Sequence, residues 1–174
     1  MVPPPHWKLI IGVGNPLPQY KQTYHNAGFL FLDFLMQDRT ELPAACRLLK
    51  SDVFMNESGS FVAKQIRKNK IRPENLLLVH DDSDLLLGNY KLSFGRGAGG
   101  HKGVGDIIKA LKTEGFWRLR IGIRPPAEKT RHKAGAFVLK KIAPAGQKIL
   151  AAVFAEIAAQ LIRQIGRQSQ SEKN

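Results

Sequence analysis

The feature that most constrains the fold is a run of four consecutive apolar residues, Leu76 to Val79, which ends abruptly in His80-Asp81-Asp82-Ser83-Asp84. A strand that is apolar at every position is typical of a strand buried on both faces of a parallel or mixed sheet. Such a sheet needs helices on both faces to cover it. The run therefore predicts the central strand of an α/β fold.

The rest of the chain mostly alternates between strand-like and helix-like patterns. Further strands are predicted at 8–13, 46–50, 90–94 and 117–123, and helices at 27–36, 56–68, 106–112 and 149–165. At 174 residues, this order favours a single three-layer α/β domain whose central mixed sheet is mostly parallel. We expect an extended lead-in at 1–7, a mobile basic loop at 125–148 and a flexible tail at 166–174.

The charge balance points to a polyanionic partner. The chain has 27 Lys and Arg against 14 Asp and Glu, a net charge of +13, and a pI near 10.1. An excess of this size favours nucleic acid, with an anionic membrane surface or plain solubility as alternatives. The apolar runs are too short to span a membrane. One cysteine, Cys46, excludes an internal disulfide and fits a reducing compartment.

The loop predicted after the first strand, residues 12–26, carries two side chains suited to chemistry, Asn15 and His25. In open α/β sheets, ligands bind at the carboxyl ends of strands. An amide and an imidazole on one loop suggest polarising a carbonyl and moving a proton. The alternative is that Asn15-Pro16 is a turn and His25 a residue at a helix start.

The cluster His80, Asp81, Asp82 and Asp84 lies at a second strand end, so one of its carboxylates and His25 are expected to meet. A carboxylate bonded to one imidazole nitrogen leaves the other to act as a general base for water. A divalent-metal site and a solvated turn are the alternatives. No motif activates Cys46 or Ser83, which leaves water as the expected nucleophile.

A glycine-rich run, 95–100, formally matches the dinucleotide fingerprint G-x-G-x-x-G, with Arg120 and Arg124 about 20 positions on. An NADP-binding oxidoreductase is therefore an alternative. A glycine loop also admits the close approach of a bulky substrate. Basic residues surround it, and they favour a nucleic acid held by shape and charge. They are Lys91, Arg96, Lys102, Lys109, Lys112, Arg118 and Arg120.

Taken together, these segments resemble the bacterial-type peptidyl-tRNA hydrolase family, which also occurs in eukaryotes. The matching stretches recur in order: Leu9-Ile10-Ile11-Gly12-Val13-Gly14-Asn15-Pro16, Tyr20, His25-Asn26-Ala27-Gly28, Phe54-Met55-Asn56-Glu57-Ser58-Gly59, His80-Asp81-Asp82-Ser83-Asp84-Leu85, Gly99-Gly100-His101-Lys102-Gly103 and Leu119-Arg120-Ile121-Gly122-Ile123. Residues 49–52 look more like fungal members than bacterial ones.

The resemblance implies hydrolysis of the ester that joins a peptide to the terminal ribose of a tRNA, without metal or organic cofactor. It implies His25 as general base and Asp81 as its orienting carboxylate. Asn15 would be the third catalytic residue and polarise the ester. Substrate contacts would come from Asn56, Met55, Tyr20, His101 and Lys102, and tRNA contacts from Arg120 together with Lys91, Arg96 and Arg118. The expected partners are tRNA and the ribosome, the expected state a monomer, and the expected place, with no targeting peptide visible, the mitochondrion or cytoplasm.

The sequence departs from the family pattern at three places. Lys102 stands where the family has asparagine, and an ammonium only donates hydrogen bonds whereas an amide also accepts them. Ser93 occupies a position where many members carry a phosphate-binding lysine, and the stretch from Met36 to Leu48 is shorter than in the family. These departures leave a second hypothesis, a relative that binds RNA or the ribosome with weakened catalysis.

Overall fold

The computed structural model describes residue 2 and residues 4–37, 46–125 and 134–171. Its five strands are β1 (Leu9–Gly12), β2 (Arg47–Lys50), β3 (Leu76–Leu86), β4 (Tyr90–Phe94) and β5 (Trp117–Arg124). They form one sheet in the order β2-β1-β3-β5-β4. The first four in that order are parallel, and β4 pairs antiparallel with β5 at the edge. The expected mixed, mostly parallel sheet is confirmed.

Helices cover both faces of this sheet. On one face, α1 (Ala27–Gln37), the short α4 (Ala134–Phe137) and the long α5 (Pro144–Ser171) pack against alternate strand residues such as Ile10, Leu77 and Val79. On the other face, α2 (Ser58–Asn69) and α3 (Lys102–Leu111) pack against Leu9, Ile11 and the remaining positions of β3. Two apolar cores thus enclose the sheet, as a three-layer α/β fold requires.

Strand β3 lies at the centre of the sheet, as its continuous apolarity predicts, with Leu76 to Val79 fully buried. It is longer than expected, because it continues through the acidic cluster to Leu86. The strand continues because β5 supplies a partner: His80 pairs with Arg120, and Asp82 with Gly122. The cluster therefore belongs to the strand, and the prediction that the strand ends at Val79 is wrong.

Two helices also exceed their predicted bounds. Helix α3 begins at Lys102, since the His101 ring caps it by accepting from the Val104 N–H. Helix α5 begins at Pro144 and runs to Ser171, through most of the predicted flexible tail. Most of the stretch from Met36 to Leu48, which is expected to be shorter than in the family, lies outside the described residues, because residues 38–45 are not described. Residues 126–133 of the predicted basic loop also lie outside them.

Helix α5 is long and apolar enough, from Pro144 to Arg167, to cross a membrane by length and composition alone. One side of it, including Val153, Phe154, Ile157 and Leu161, is buried in the core against the sheet. This packing is that of an amphipathic core helix.

Candidate active site

The strand topology brings the loop after β1 beside the continuation of β3, because Gly12 pairs with Val79 at the point where both segments leave the apolar core. Helix α1 packs tightly over this point. A side chain at Gly28 would collide with the carbonyl oxygens of Val13 and Val79. Only glycine allows this approach, which places the 3₁₀ turn Tyr24–Asn26, and with it His25, over Asp81.

Two histidines converge on one carboxylate oxygen at this place. His25 Nδ1 lies 2.8 Å and His101 Nε2 2.9 Å from Asp81 Oδ1. The Asp81 side chain is 2% exposed, whereas those of His25 and His101 are 13% and 10% exposed. The expected meeting of His25 with an aspartate is present in the structure, with His101 as a third member of the cluster.

The hydrogen bonds around these rings define where the protons are. His101 Nδ1 accepts from the Val104 N–H at 3.2 Å, so its proton is on Nε2 and is donated to Asp81. His25 likewise donates its Nδ1 proton to the carboxylate, which leaves Nε2 with a free lone pair. The ring of His25 is therefore held in the tautomer that a general base needs.

The electrostatic surroundings keep Asp81 ionised. Burial alone would raise the pKa of its carboxyl, but the neighbouring His101 and His25 rings outweigh burial and hold the pKa well below its usual range. Two charge-assisted hydrogen bonds to one carboxylate are a strong restraint on both rings. The Asp81 carboxylate is therefore ionised, and in that form it orients the His25 ring.

His25, Asp81 and His101 also lie close enough to suggest a metal site, with one ligand atom from each within 4.8 Å of the others. The donor chemistry argues against it. His101 Nε2 carries a proton as long as Nδ1 accepts from Val104, so it has no lone pair to offer a cation. The cluster fits proton transfer better than metal binding.

His80 is a fourth polar group at the centre, and sequence reasoning gave it no role. It is 2% exposed, its Nδ1 donates to the Asp81 carbonyl at 2.6 Å, and its ring meets that of His101 edge-on at 4.8 Å. Burial, with a smaller effect of His101, lowers the pKa of His80 well below its usual value. A neutral ring therefore packs beneath the cluster.

Asn15 connects the cluster to a second part of the site. Its side-chain oxygen accepts from the Met55 N–H at 3.0 Å, and its backbone N–H and carbonyl are both bonded by the side chain of Asn26, at 2.8 and 3.0 Å. Asn26 directly follows His25 in the chain, and the sequence analysis did not single it out. Asn15 thereby ties the His25 turn to the 3₁₀ turn Met55–Glu57.

The start of α3 is attached to the same turn. Gly103 packs so closely on Met55 that a side chain there would meet the Met55 sulfur and carbonyl oxygen, and Asp106 Oδ2 accepts from the Gly59 N–H at 2.7 Å. Met55 is buried, and Asn56 and Lys102 are exposed on these two neighbouring turns. Tyr20, half-buried in the turn Pro18–Tyr20, has no described contact with them.

A cavity of about 800 Å³ opens beside His25 and Asp81. It is lined by the end of β3, the glycine loop, the segment around α4, and two cations of β5, Arg118 and Arg120. The lining residues are 80–84, 96–102, His25, Arg118, Arg120, Gly135, Val138 and Leu139. Neither Asn15 nor Asn56 lines it, so the predicted substrate residues lie on two sides of the cluster.

The four cations predicted to hold tRNA differ in what they offer. Lys91 and Arg96 are exposed, and Arg120 donates its Nε–H to Asp82 at 2.6 Å while 17% of its side chain is exposed. Arg118 is 3% exposed and donates to the carbonyls of Arg96 and Gly97 at 2.6 and 3.1 Å. The Arg118 guanidinium thus holds the glycine loop, and a contact of Arg118 with phosphate stays a prediction.

The topology does not favour the dinucleotide alternative. The glycine loop follows β4, an edge strand antiparallel to β5, whereas the dinucleotide fingerprint needs a parallel strand-helix-strand unit. Cys46 offers no rival nucleophile, because burial raises the pKa of its thiol to about 12.

Comparison with known proteins agrees with this geometry. A family model described as Peptidyl-tRNA hydrolase matches residues 9–174. The peptidyl-tRNA hydrolase of Coxiella burnetii (strain CbuG_Q212) is 44% identical over 137 residues, which cover 71% of this chain and 73% of that protein. That of Neisseria meningitidis serogroup A is 40% identical over 151 residues, covering 77% and 78%.

Solved structures give the same result. The peptidyl-tRNA hydrolase of Acinetobacter baumannii has a TM-score of 0.77 at 31% identity, covering 91% of this chain and 94% of that one. A peptidyl-tRNA hydrolase complexed with N-propanol has a TM-score of 0.81 at 31% identity, covering 94% and 91%. The chain belongs to the peptidyl-tRNA hydrolase family.

Proposed function

We propose that this protein hydrolyses the ester bond of peptidyl-tRNA and releases free tRNA, with His25 as the general base. The observation that carries the mechanism is the pair of hydrogen bonds on Asp81 Oδ1, which orients the His25 ring with Nδ1 on the carboxylate and Nε2 turned away from it. Family membership supports the substrate class. The alternatives, an RNA-binding relative with weakened catalysis and an NADP-dependent oxidoreductase, are not favoured.

The reaction needs one proton transferred twice. His25 Nε2 takes a proton from water as the water oxygen attacks the ester carbonyl carbon, and the resulting imidazolium is stabilised by Asp81. When the tetrahedral intermediate collapses, the bond to the ribose oxygen breaks and that oxygen takes the proton from His25. The products are a peptide carboxylic acid and a tRNA with a free ribose hydroxyl, so atoms and charge balance.

The amides of Asn15 and Asn56 are proposed to bind the ester and its developing oxyanion. The Asn15 side-chain oxygen is occupied by the Met55 N–H, while its amide nitrogen makes no hydrogen bond within the described part of the chain. That nitrogen remains to donate to a carbonyl oxygen. Buried Met55 and half-buried Tyr20 are proposed to contact the peptide.

The tRNA is proposed to lie on the glycine-loop side of the cluster, where Lys91, Arg96 and Arg120 provide cations for phosphate. We propose that the protein acts as a monomer and recycles tRNAs released from stalled ribosomes. Its proposed location is the mitochondrion or the cytoplasm, and its likeness to fungal members stays a prediction.

The direct test is to incubate the purified protein with an N-acetylaminoacyl-tRNA and to measure free tRNA on an acid gel. We expect multiple turnovers without added metal or cofactor, and no change when NADPH is added. Binding of the N-acetylaminoacyl-tRNA without hydrolysis of its ester would instead support the hypothesis of an RNA-binding relative with weakened catalysis.

A pair of substitutions at Asn15 separates its two hydrogen-bonding roles. We expect Asn15→Asp, which keeps an acceptor for Met55 but loses the donor, to fold normally and to lower kcat about 10²- to 10³-fold. Asn15→Ala, which also leaves the Met55 N–H unpaired, should lose about 1–3 kcal/mol of unfolding free energy as well. Denaturant titration and initial rates measure the two effects; an active Asn15→Asp variant would exclude the donor role.

Lys102 is the position at which this chain departs from the family site. We expect Lys102→Asn to raise kcat, because an amide both accepts and donates and so holds the attacking water better than an ammonium does. Lys148→Asn, the same change at an exposed lysine of α5 on the opposite face of the sheet, is the matched control. A fall in kcat for Lys102→Asn alone would mean that the ammonium itself serves the reaction in this protein.

A further inference from the structure

Apart from Lys102 at the site, the helical layer formed by α2 and α3 carries six exposed cations, which we call the basic band. They are Lys64, Arg67, Lys68, Lys70, Lys109 and Lys112. Within the described residues, none of the six forms an ion pair with a carboxylate. The proposed mechanism uses none of these residues, so their concentration on one surface calls for a different role.

The carboxylates of this layer do not neutralise the band. Glu57 and Asp106 line one groove with Lys109, and Asp106 is also bonded to the Gly59 N–H at 2.7 Å, so these two carboxylates lie near Lys109 and not near the cations at 64–70. Glu74 pairs with Arg72 at 2.9 Å. Glu114, just beyond α3, is directed towards the glycine loop, where it is close to Gly97 and acts on Arg118. The band therefore keeps most of its positive charge.

The band also has a defined position relative to the site. Helices α2 and α3 both begin beside the catalytic cluster and are joined near their starts, where Asp106 accepts from the Gly59 N–H. From there both helices run towards the amino-terminal ends of the parallel strands. At a rise of 1.5 Å per residue, Lys64 lies about 9 Å along α2 from Ser58, and Lys70 about 18 Å. The cations of α2 thus begin about 9 Å along the helix from its first residue and extend away from the site.

We propose that the basic band binds the phosphate backbone of the double-stranded stem of the tRNA, behind the unpaired end that enters the active site. A tRNA that extends beyond the active site passes over the surface of α2 and α3. Exposed lysines and arginines there bind its phosphates without reading sequence. Cations in the last turn of a helix also complement its dipole, but this does not account for Lys64 in the middle of α2. This inference rests on the proposed function.

The test compares two triple variants that remove equal charge. Lys64→Gln, Arg67→Gln and Lys68→Gln together neutralise half of the band. Lys148→Gln, Arg163→Gln and Arg167→Gln remove three exposed cations from α5, on the opposite face of the sheet. Each protein is assayed on N-acetylaminoacyl-tRNA and on the same ester attached to the trinucleotide CCA alone, which lacks the double-stranded stem.

We expect the band variant to raise KM for the full tRNA about 3- to 100-fold, as three exposed ion pairs allow, with kcat unchanged. The slope of log(kcat/KM) against log salt concentration should fall by about 2 to 3. Kinetics on the trinucleotide ester should not change, and the α5 variant should resemble the wild type on both substrates. Equal effects of the two triple variants on KM, or loss of activity on the trinucleotide ester, would overturn the proposal.

Binding of uncharged tRNA, followed by fluorescence anisotropy, provides a readout that does not depend on hydrolysis. The band variant should bind it more weakly than the α5 variant does. If the wild type leaves both esters intact but the band still governs binding, the proposed function fails while the band proposal stands. If both esters are cleaved and the band variant binds tRNA as tightly as the α5 variant does, only the band proposal fails.

Discussion

Replacing His25 with alanine is expected to lower kcat/KM for N-acetylaminoacyl-tRNA by about 10²- to 10⁴-fold, the usual contribution of a positioned general base. The reason is geometric. The Nδ1 proton of His25 is donated to Asp81 at 2.8 Å, so Nε2 is the atom available to take a proton from water. The loss should appear in kcat, with KM for tRNA nearly unchanged, because His25 makes no proposed contact with phosphate.

The control for this substitution is His6→Ala, a histidine in the segment before β1 that is remote from the catalytic cluster. It should retain wild-type activity, and both variants should show the same cooperative unfolding as the wild type. If His25→Ala kept more than about a tenth of the activity, the base would have to be another group.

The second large effect is expected for Asp81→Asn. The amide is neutral: its oxygen can still accept a hydrogen bond, but it no longer stabilises the protonated form of His25 as a carboxylate does. We expect kcat to fall about 10²- to 10⁴-fold and the acidic limb of the pH–rate profile to move to lower pH. Initial rates between pH 5 and 9 measure both changes.

Asp81→Asn also has an expected effect on stability. The folded-state pKa of Asp81 lies well below its usual range, so the stability that its carboxylate contributes is present in full above about pH 4 and is lost as the pH falls further. The difference in unfolding free energy between wild type and variant should therefore shrink below pH 4. Asp33→Asn is a matched control, because Asp33 pairs with Lys50 at 2.7 Å in a half-exposed position, and it should leave kcat unchanged.

The positions of the main secondary-structure elements follow from local patterns. The apolar run Leu76–Val79 is buried at the centre of the sheet, and most other elements lie within two residues of their predicted bounds. For two of the three exceptions, β3 and α3, the structure shows the hydrogen-bonding partner that extends the element. Strand β3 continues to Leu86 because β5 offers it a partner, and α3 begins four residues early because His101 accepts from Val104.

For the site, sequence motifs identified the chemistry but not its connections. His25, Asp81 and His101 all lie within recognisable motifs, yet nothing local shows that both rings donate to one oxygen. Arg118 was indistinguishable from Arg120 in the sequence, since both alternate with apolar residues on β5. Only the fold shows that the Arg118 guanidinium bonds to carbonyls of the glycine loop, whereas that of Arg120 bonds to Asp82.

By itself, the sequence determined the fold class, the family and the residue types available for catalysis, because these depend on apolar periodicity and on the order of motifs along the chain. The tertiary structure decided which of those residues meet, which tautomer His25 adopts and which cations remain exposed. Each of these depends on distances between residues that are far apart in the chain: His25 and Asp81 are 56 positions apart and 2.8 Å from each other.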